Sequence, residues 1–136
     1  MTTERILLTA LLIALGWLGH AAADGGKVGL HIAGDDALPL SAHTSIPVLV
    51  ELSPPLAASY PLLLTPHIEG NAVELVRGRL LRADGKPEDA THLRFELPVV
   101  ARSEGTAILR VDLMTYLCDP VCRRVSASDS RVLKVR

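Results

Sequence analysis

Apolar and polar residues alternate with a period of two along most of this chain, which is the pattern of half-buried β-strands. The stretch "THLRFELPV" shows it most cleanly: Leu93, Phe95 and Leu97 point to one side, and His92, Arg94 and Glu96 to the other. "GTAILRVDLMTYLC" sustains the period for longer. Leu109, Val111, Leu113, Thr115 and Leu117 share one face; Arg110, Asp112, Met114, Tyr116 and Cys118 share the opposite one. In "KVGLHIAG", Val28, Leu30 and Ile32 alternate with Lys27, Gly29 and His31. "SIPVLVEL", bounded by Ser53-Pro54-Pro55, and the closing "SRVLKVR" add two further strands. "YPLLLTPHI" carries Pro61 and Pro66 and reads as an edge strand or an extended connection, with His67 in a loop.

"NAVELVRGRLLRADG" joins a strand-like run to a turn at Ala83-Asp84-Gly85, because Asp-Gly is a strong turn signal. Leu75 to Leu81 is the best candidate for a helix, but Gly78 interrupts it. Nine prolines, spread from position 39 to 120, leave few windows for a long helix. About seven short strands in one domain over residues 24–136 predict an all-β fold: an antiparallel, immunoglobulin-like two-sheet sandwich. With only 3% aromatic residues, its core must be built from Leu, Val, Ile and Ala.

The first 23 residues have a different character. Arg5 precedes an apolar run from Ile6 to Gly19, and Ala21-Ala22-Ala23 follows. A basic start, a short apolar stretch and a small-residue cleavage site make up a secretory signal peptide. The run is 14 residues long, against roughly 20 for a membrane-spanning helix. The expectation is therefore cleavage after Ala23, a periplasmic or secreted product and no stable membrane insertion; the alternative is an uncleaved anchor. Cleavage removes Glu4 and Arg5 together, so the net charge stays at -1. A near-neutral domain lacks the basic footprint of a nucleic-acid binder.

Motifs for enclosed catalysis are missing: the sequence holds no Gly-rich phosphate loop and no nucleophile elbow. Ser126, Ser128 and Ser130 surround Asp129, which reads as a polar turn before the last strand, with no histidine oriented toward it. Chemistry concentrates instead in "TYLCDPVCRRVSAS", which contains both cysteines of the chain. Cys118 ends one strand and Cys122 begins another. Flanking a three-residue loop, they become cross-strand neighbours with Cα atoms about 5.5 Å apart, which suits a disulfide. An exported location favours oxidation. The bridge would close so small a loop that it contributes only about 2 kcal/mol. Arg123 and Arg124 beside Cys122 would stabilise a thiolate, whereas Asp119 beside Cys118 opposes one.

The same pair has a metal reading. A Cys-x-x-x-Cys pair suits copper, and Met114, on the same face as Cys118, offers a soft third ligand. Histidines 31, 43, 67 and 92 are available from other strands, although no local His pair marks a zinc site. Neither His nor Met follows Cys122 closely.

The stretch "LRVDLMTYLCDPVCRRVSASDSRVLKV", in an exported sandwich, resembles the N-terminal periplasmic domain of the thiol:disulfide interchange protein DsbD and related DsbD-alpha-like domains. The matching positions are Tyr116, Cys118 and Cys122, with Val132 to Val135 as the closing strand. The resemblance is sharp over about 30 residues and architectural elsewhere. It implies that Cys118 and Cys122, with Tyr116 beside them, form a redox-active pair which passes electrons between thioredoxin-like or membrane redox proteins without a cofactor; Arg123 joins as a supporting residue by its adjacency to Cys122. The family's cysteines are usually further apart and shielded by an aromatic cap, for which Tyr60, Tyr116 and Phe95 are the candidates. Three classes thus stand open: a thiol–disulfide exchange module, a copper-binding or chaperone module, and a structural or partner-binding sandwich with an incidental disulfide.

Overall fold

The computed structural model describes residues 27–53, 61–118 and 121–136; the expected signal segment, Tyr60 and the Asp119-Pro120 turn lie outside the described residues. Ten strands form: β1 (Lys27–Ile32), β2 (Ala37–Leu38), β3 (His43–Ser53), β4 (Leu62–Glu69), β5 (Val73–Leu75), β6 (Leu80–Leu81), β7 (Lys86–Pro87), β8 (His92–Ala101), β9 (Gly105–Cys118) and β10 (Cys122–Val135). They build two sheets, one ordered β1-β3-β8-β5 with β7 also on β8, the other ordered β2-β10-β9-β4-β6. All pairings are antiparallel except that of β2 with β10. The two-sheet sandwich read from the alternation is the fold that forms. The three strands beyond the expected seven, β2, β6 and β7, are two-residue pieces at the sheet margins.

The predicted faces hold. Leu93, Phe95 and Leu97 of β8 and Ala107, Leu109, Val111, Leu113, Thr115 and Leu117 of β9 are buried. All of these but Thr115 and Leu117 join Val48, Val50, Leu62, Leu64 and Leu133 in the core cluster between the sheets. Thr115, the one buried polar residue among the described residues, stays hydrogen-bonded: its Oγ1 donates to the Pro61 carbonyl at 2.9 Å. Phe95 is the largest fully buried side chain among them. Its ring packs so close to Gly85 that a Cβ there would stand 2.6 Å from Cζ, so only glycine fits at that turn.

Prolines sit in strands where no ladder partner needs their missing N–H. Pro47 lies just past the end of β1, and its carbonyl, on the same side, accepts from Ala33 N–H. Pro98 falls between the short strands β7 and β5, and its carbonyl takes Val76 N–H. Pro66 lies in β4 beyond the two-residue cover of β6, so "YPLLLTPHI" forms a strand next to the sheet edge, paired with β6 only at Leu63 and Leu64.

Two local expectations are corrected. His67 belongs to β4, opposite Arg110, rather than to a loop. The Leu75–Leu81 window, already interrupted by Gly78, holds the end of β5 and the whole of β6. Ser126 to Ser130 is not a turn but the middle of β10, which pairs with β9 without interruption from Cys122↔Cys118 to Val135↔Gly105. The polar composition misleads because one face of this strand is solvated and the ladder to β9 supplies its backbone bonds. The predicted turn at Ala83-Asp84-Gly85 does form, as a single 3-10 turn over Arg82–Asp84. Asp84 holds it by accepting from Leu81 N–H and from the two terminal nitrogens, Nη1 and Nη2, of Arg77.

Candidate functional site

Cys118 and Cys122 are joined by a disulfide at the tip of the β9–β10 hairpin. Their Cα atoms are 3.8 Å apart, closer than the expected 5.5 Å. The register explains the direction of this difference. Lys134 N–H and Arg136 N–H donate outward to Asp36 and Leu38, so even-numbered residues of β10 turn their backbone groups away from β9. Because the register is unbroken up to Cys122, the cysteines form a non-hydrogen-bonded pair, the narrow kind at about 4.5 Å rather than 5.5 Å.

The tip protrudes from the sandwich. Val121, Cys122, Arg123 and Arg124 are exposed in succession, so neither face of the strand is covered there; Val121 is 76% exposed. Cys118 is half-buried while Cys122 is exposed, so Cys122 is the more open residue of the pair. Alternation separates the two arginines. Arg124 shares the outer face with the disulfide and lies opposite Tyr116; Arg123 lies opposite Leu117 and projects from the other face. Among the described residues neither arginine forms an ion pair. Of the expected supporting residues, Tyr116 therefore sits beside the disulfide and Arg123 points away from it, with Arg124 in the position assigned to Arg123. The signal for this was in the sequence, since Arg124 is two residues from Cys122 and Arg123 only one.

Below Tyr116 on the outer face lies a half-exposed apolar row: Leu81, Leu63 and Met114 on adjoining strands. Of the aromatic candidates to cover the disulfide, Phe95 is excluded because it is wholly buried in the other sheet. Tyr116 occupies the adjacent register position.

The copper arrangement of Cys118, Cys122 and Met114 does not assemble. Met114 is four residues before Cys118 on a strand that rises about 3.3 Å per residue, so the two positions stand about 13 Å apart. A metal–sulfur bond of about 2.3 Å cannot span that. The histidines are no nearer along the sheet. His67 lies opposite Arg110 and His31 lies against Asp129 at 3.8 Å, each seven or eight residues along its neighbouring strand from a cysteine. Among the described residues, no three His, Cys, Asp or Glu side chains converge.

A polar cluster appears that spacing alone did not reveal. Ser128 Oγ donates to Asp112 Oδ1 at 2.6 Å, and His67 Nε2 lies 3.1 Å from Asp112 Oδ2. A histidine thus does approach the serine-rich strand, from β4 across β9. The hydrogen bond from Ser128, then Arg110 and His67, hold the Asp112 carboxyl below the usual carboxylate range. The order is Ser–Asp–His with the carboxylate between the other two, so the imidazole cannot take the serine proton. Nucleophilic catalysis requires the histidine in the middle.

No family model matches this chain, and no curated protein matches it. Similarity is found to solved structures. The native alpha-2-macroglobulin from Escherichia coli, spanning domain MG7 to the C-terminus, aligns with 82% of this chain and 16% of its own at 11% identity and a TM-score of 0.50. The chain therefore spans less than one fifth of that fragment's length. The cohesin module from a Clostridium perfringens family 33 glycoside hydrolase aligns with 81% and 96%, at 8% identity and a TM-score of 0.37. The likeness is one of fold, an immunoglobulin-like sandwich, and extends to no activity.

Proposed function

We propose that this protein is an exported thiol–disulfide exchange module that works through Cys118 and Cys122. The observation that carries the reading is the position of the disulfide. It closes a minimal loop at an exposed hairpin tip, where it ties together no distant parts of the chain and solvent reaches Cys122. The N-terminal signal pattern supports a periplasmic or secreted location, where such a bond persists. No helix among the described residues is long and apolar enough to cross a membrane.

The exchange is a two-step displacement. A thiolate of a dithiol partner attacks Cys122 Sγ; the Cys118–Cys122 bond breaks and Cys118 leaves as thiolate, taking a proton from solvent. The partner's second thiolate attacks its own sulfur in the mixed disulfide and releases Cys122. The partner loses two electrons and gains a disulfide, and the cysteine pair here is reduced. Arg124, on the same face, stabilises the Cys122 thiolate as it departs. The partner, of thioredoxin-like type or membrane-bound, also supplies the reverse route when the pair is reoxidised.

The test is the reduction potential of the pair, poised against glutathione buffers. A value in the range of working dithiols, above about -270 mV, is expected; one below about -300 mV marks a structural bridge and overturns the proposal.

A further inference from the structure

The backbone of β10 divides into a closed part and an open part. At its C-terminal end β2 pairs with Lys134 and Val135. Just above, two side chains close the seam between β10 and the edge of β1 in the other sheet. Asp129 Oδ2 accepts from Ile32 N–H at 2.9 Å, and its Oδ1 accepts from Ser130 N–H at 3.0 Å. Arg131 donates to the Ile32 carbonyl and pairs with Asp36. One carboxylate thereby satisfies an outward amide on each of two sheet edges. From Cys122 to Ser128 no such device appears among the described residues. The outward N–H and C=O groups of Cys122, Arg124, Ser126 and Ser128 have no strand partner there. An unpaired edge is a template for another strand, and folded proteins ordinarily blunt it. Here β2, Asp129 and Arg131 cover part of the edge between Asp129 and Val135, and among the described residues no such cover reaches the stretch next to the disulfide.

We propose that the open edge Cys122–Ser128 receives an extended, acidic, thiol-bearing polypeptide segment by strand addition, which lays a substrate cysteine against Cys122. The inference rests on the thiol-exchange reading of the same disulfide and names its substrate class. Main-chain bonds to alternate residues hold the segment in register, as in other β-augmented complexes. Acidic character follows from charge complementarity: Arg123 and Arg124 are exposed on opposite faces of the receiving strand and have no ionic partner among the described residues. A strand added at this edge places its own side chains beside both. The reaction is the displacement written above, with the segment's thiolate as attacking group.

The experiment uses oxidised protein and three synthetic heptapeptides. One carries a central cysteine flanked by acidic residues. The second is identical but N-methylated at alternate amides, which abolishes pairing with a strand edge. The third has lysines for the acidic residues. Mixed-disulfide formation is followed alongside that with glutathione. The acidic peptide is expected to react about tenfold faster than glutathione, with the advantage lost on methylation and in the Arg123→Glu/Arg124→Glu variant. In parallel, amide hydrogen exchange with a cysteine-free acidic peptide is expected to slow at Cys122, Arg124 and Ser126. The odd-numbered amides, already bonded to β9, should not change. Equal rates for methylated and unmethylated peptides, or protection without this alternation, overturn the inference. So does protection that rises with protein concentration in the absence of peptide, which assigns the edge to a second copy of the chain. If glutathione exchanges normally and the peptide gains nothing, the edge proposal fails alone. If glutathione does not exchange at all, the thiol-exchange reading fails, and the amide pattern still decides whether the edge binds a strand.

Discussion

Replacing both cysteines, as Cys118→Ser/Cys122→Ser, separates a working bridge from a structural one. The bridge joins residues separated by four positions, and loop entropy assigns such a closure about 2 kcal/mol, against about 4.7 kcal/mol for a hundred-residue loop. Little packing is lost with it. Cys122 and Val121 are exposed, Cys118 is half-buried, and none of the described residues from Cys118 to Val125 is buried. The hairpin itself is held without the sulfurs, through the pairs from Leu117↔Arg123 to Gly105↔Val135. About 2 kcal/mol is therefore an upper bound, corresponding to a fall in melting temperature of about 8 °C for a domain this size. Urea denaturation of the oxidised protein, the reduced protein and the double variant measures it. The midpoint should fall modestly while the slope m stays constant, because the buried surface is unchanged. Hydrogen exchange should accelerate only around residues 121–125. A loss of cooperative folding, or a cost near 4 kcal/mol or above, would refute the reasoning and make the bridge a structural staple.

Asp129→Ala leaves the Ile32 and Ser130 amides without their acceptor at the seam between the sheets. A cost of about 2 kcal/mol is expected, read by chemical denaturation, together with self-association as the open edge lengthens. Gly85→Ala drives a Cβ against the Phe95 ring and should cost about 1–3 kcal/mol by overpacking; an unchanged melting temperature contradicts the contact. Asp89 and His92 form a pH-sensitive pair at 2.8 Å. Hydrogen bonds from Thr91 N–H and from His92 lower the Asp89 carboxyl to about 2, and the hydrogen bond to Asp89 raises His92 above its ordinary value. The His92 contribution is complete below its unfolded pKa and fades as pH rises through the raised one. That of Asp89 is present above its unfolded pKa and fades as pH falls toward about 2. An NMR titration should therefore place the His92 midpoint above 6.5, and Asp89→Asn should bring it back down.

Most of the fold was legible along the chain, because a strand with one buried face writes its orientation into every second residue. β8 and β9 show this residue by residue, from Leu93 to Leu97 and from Leu109 to Leu117. The serine-rich half of β10 was not legible. Its inward positions include Ala127, Asp129 and Arg131, whose roles depend on β1, nearly a hundred residues earlier. A carboxylate that caps two sheet edges looks, in sequence, like any polar turn residue. Met114 illustrates the same limit in the other direction. Shared-face alternation placed it with Cys118, but sharing a face does not mean sharing a site when each residue adds more than 3 Å.

What the sequence determined by itself was a two-sheet sandwich, the faces of its long strands and a disulfide between Cys118 and Cys122, all consequences of local period and short-range spacing. What only the tertiary structure decided was the environment of that disulfide. The pairing register turns the backbone of Cys122, Arg124 and Ser126 outward and sets Tyr116 opposite Arg124. The lateral approach of β1 lets Asp129 and Arg131 close one stretch of edge and not the next. Those outcomes depend on which strands meet across the sheets, and residues far apart in sequence carry no local mark of that meeting.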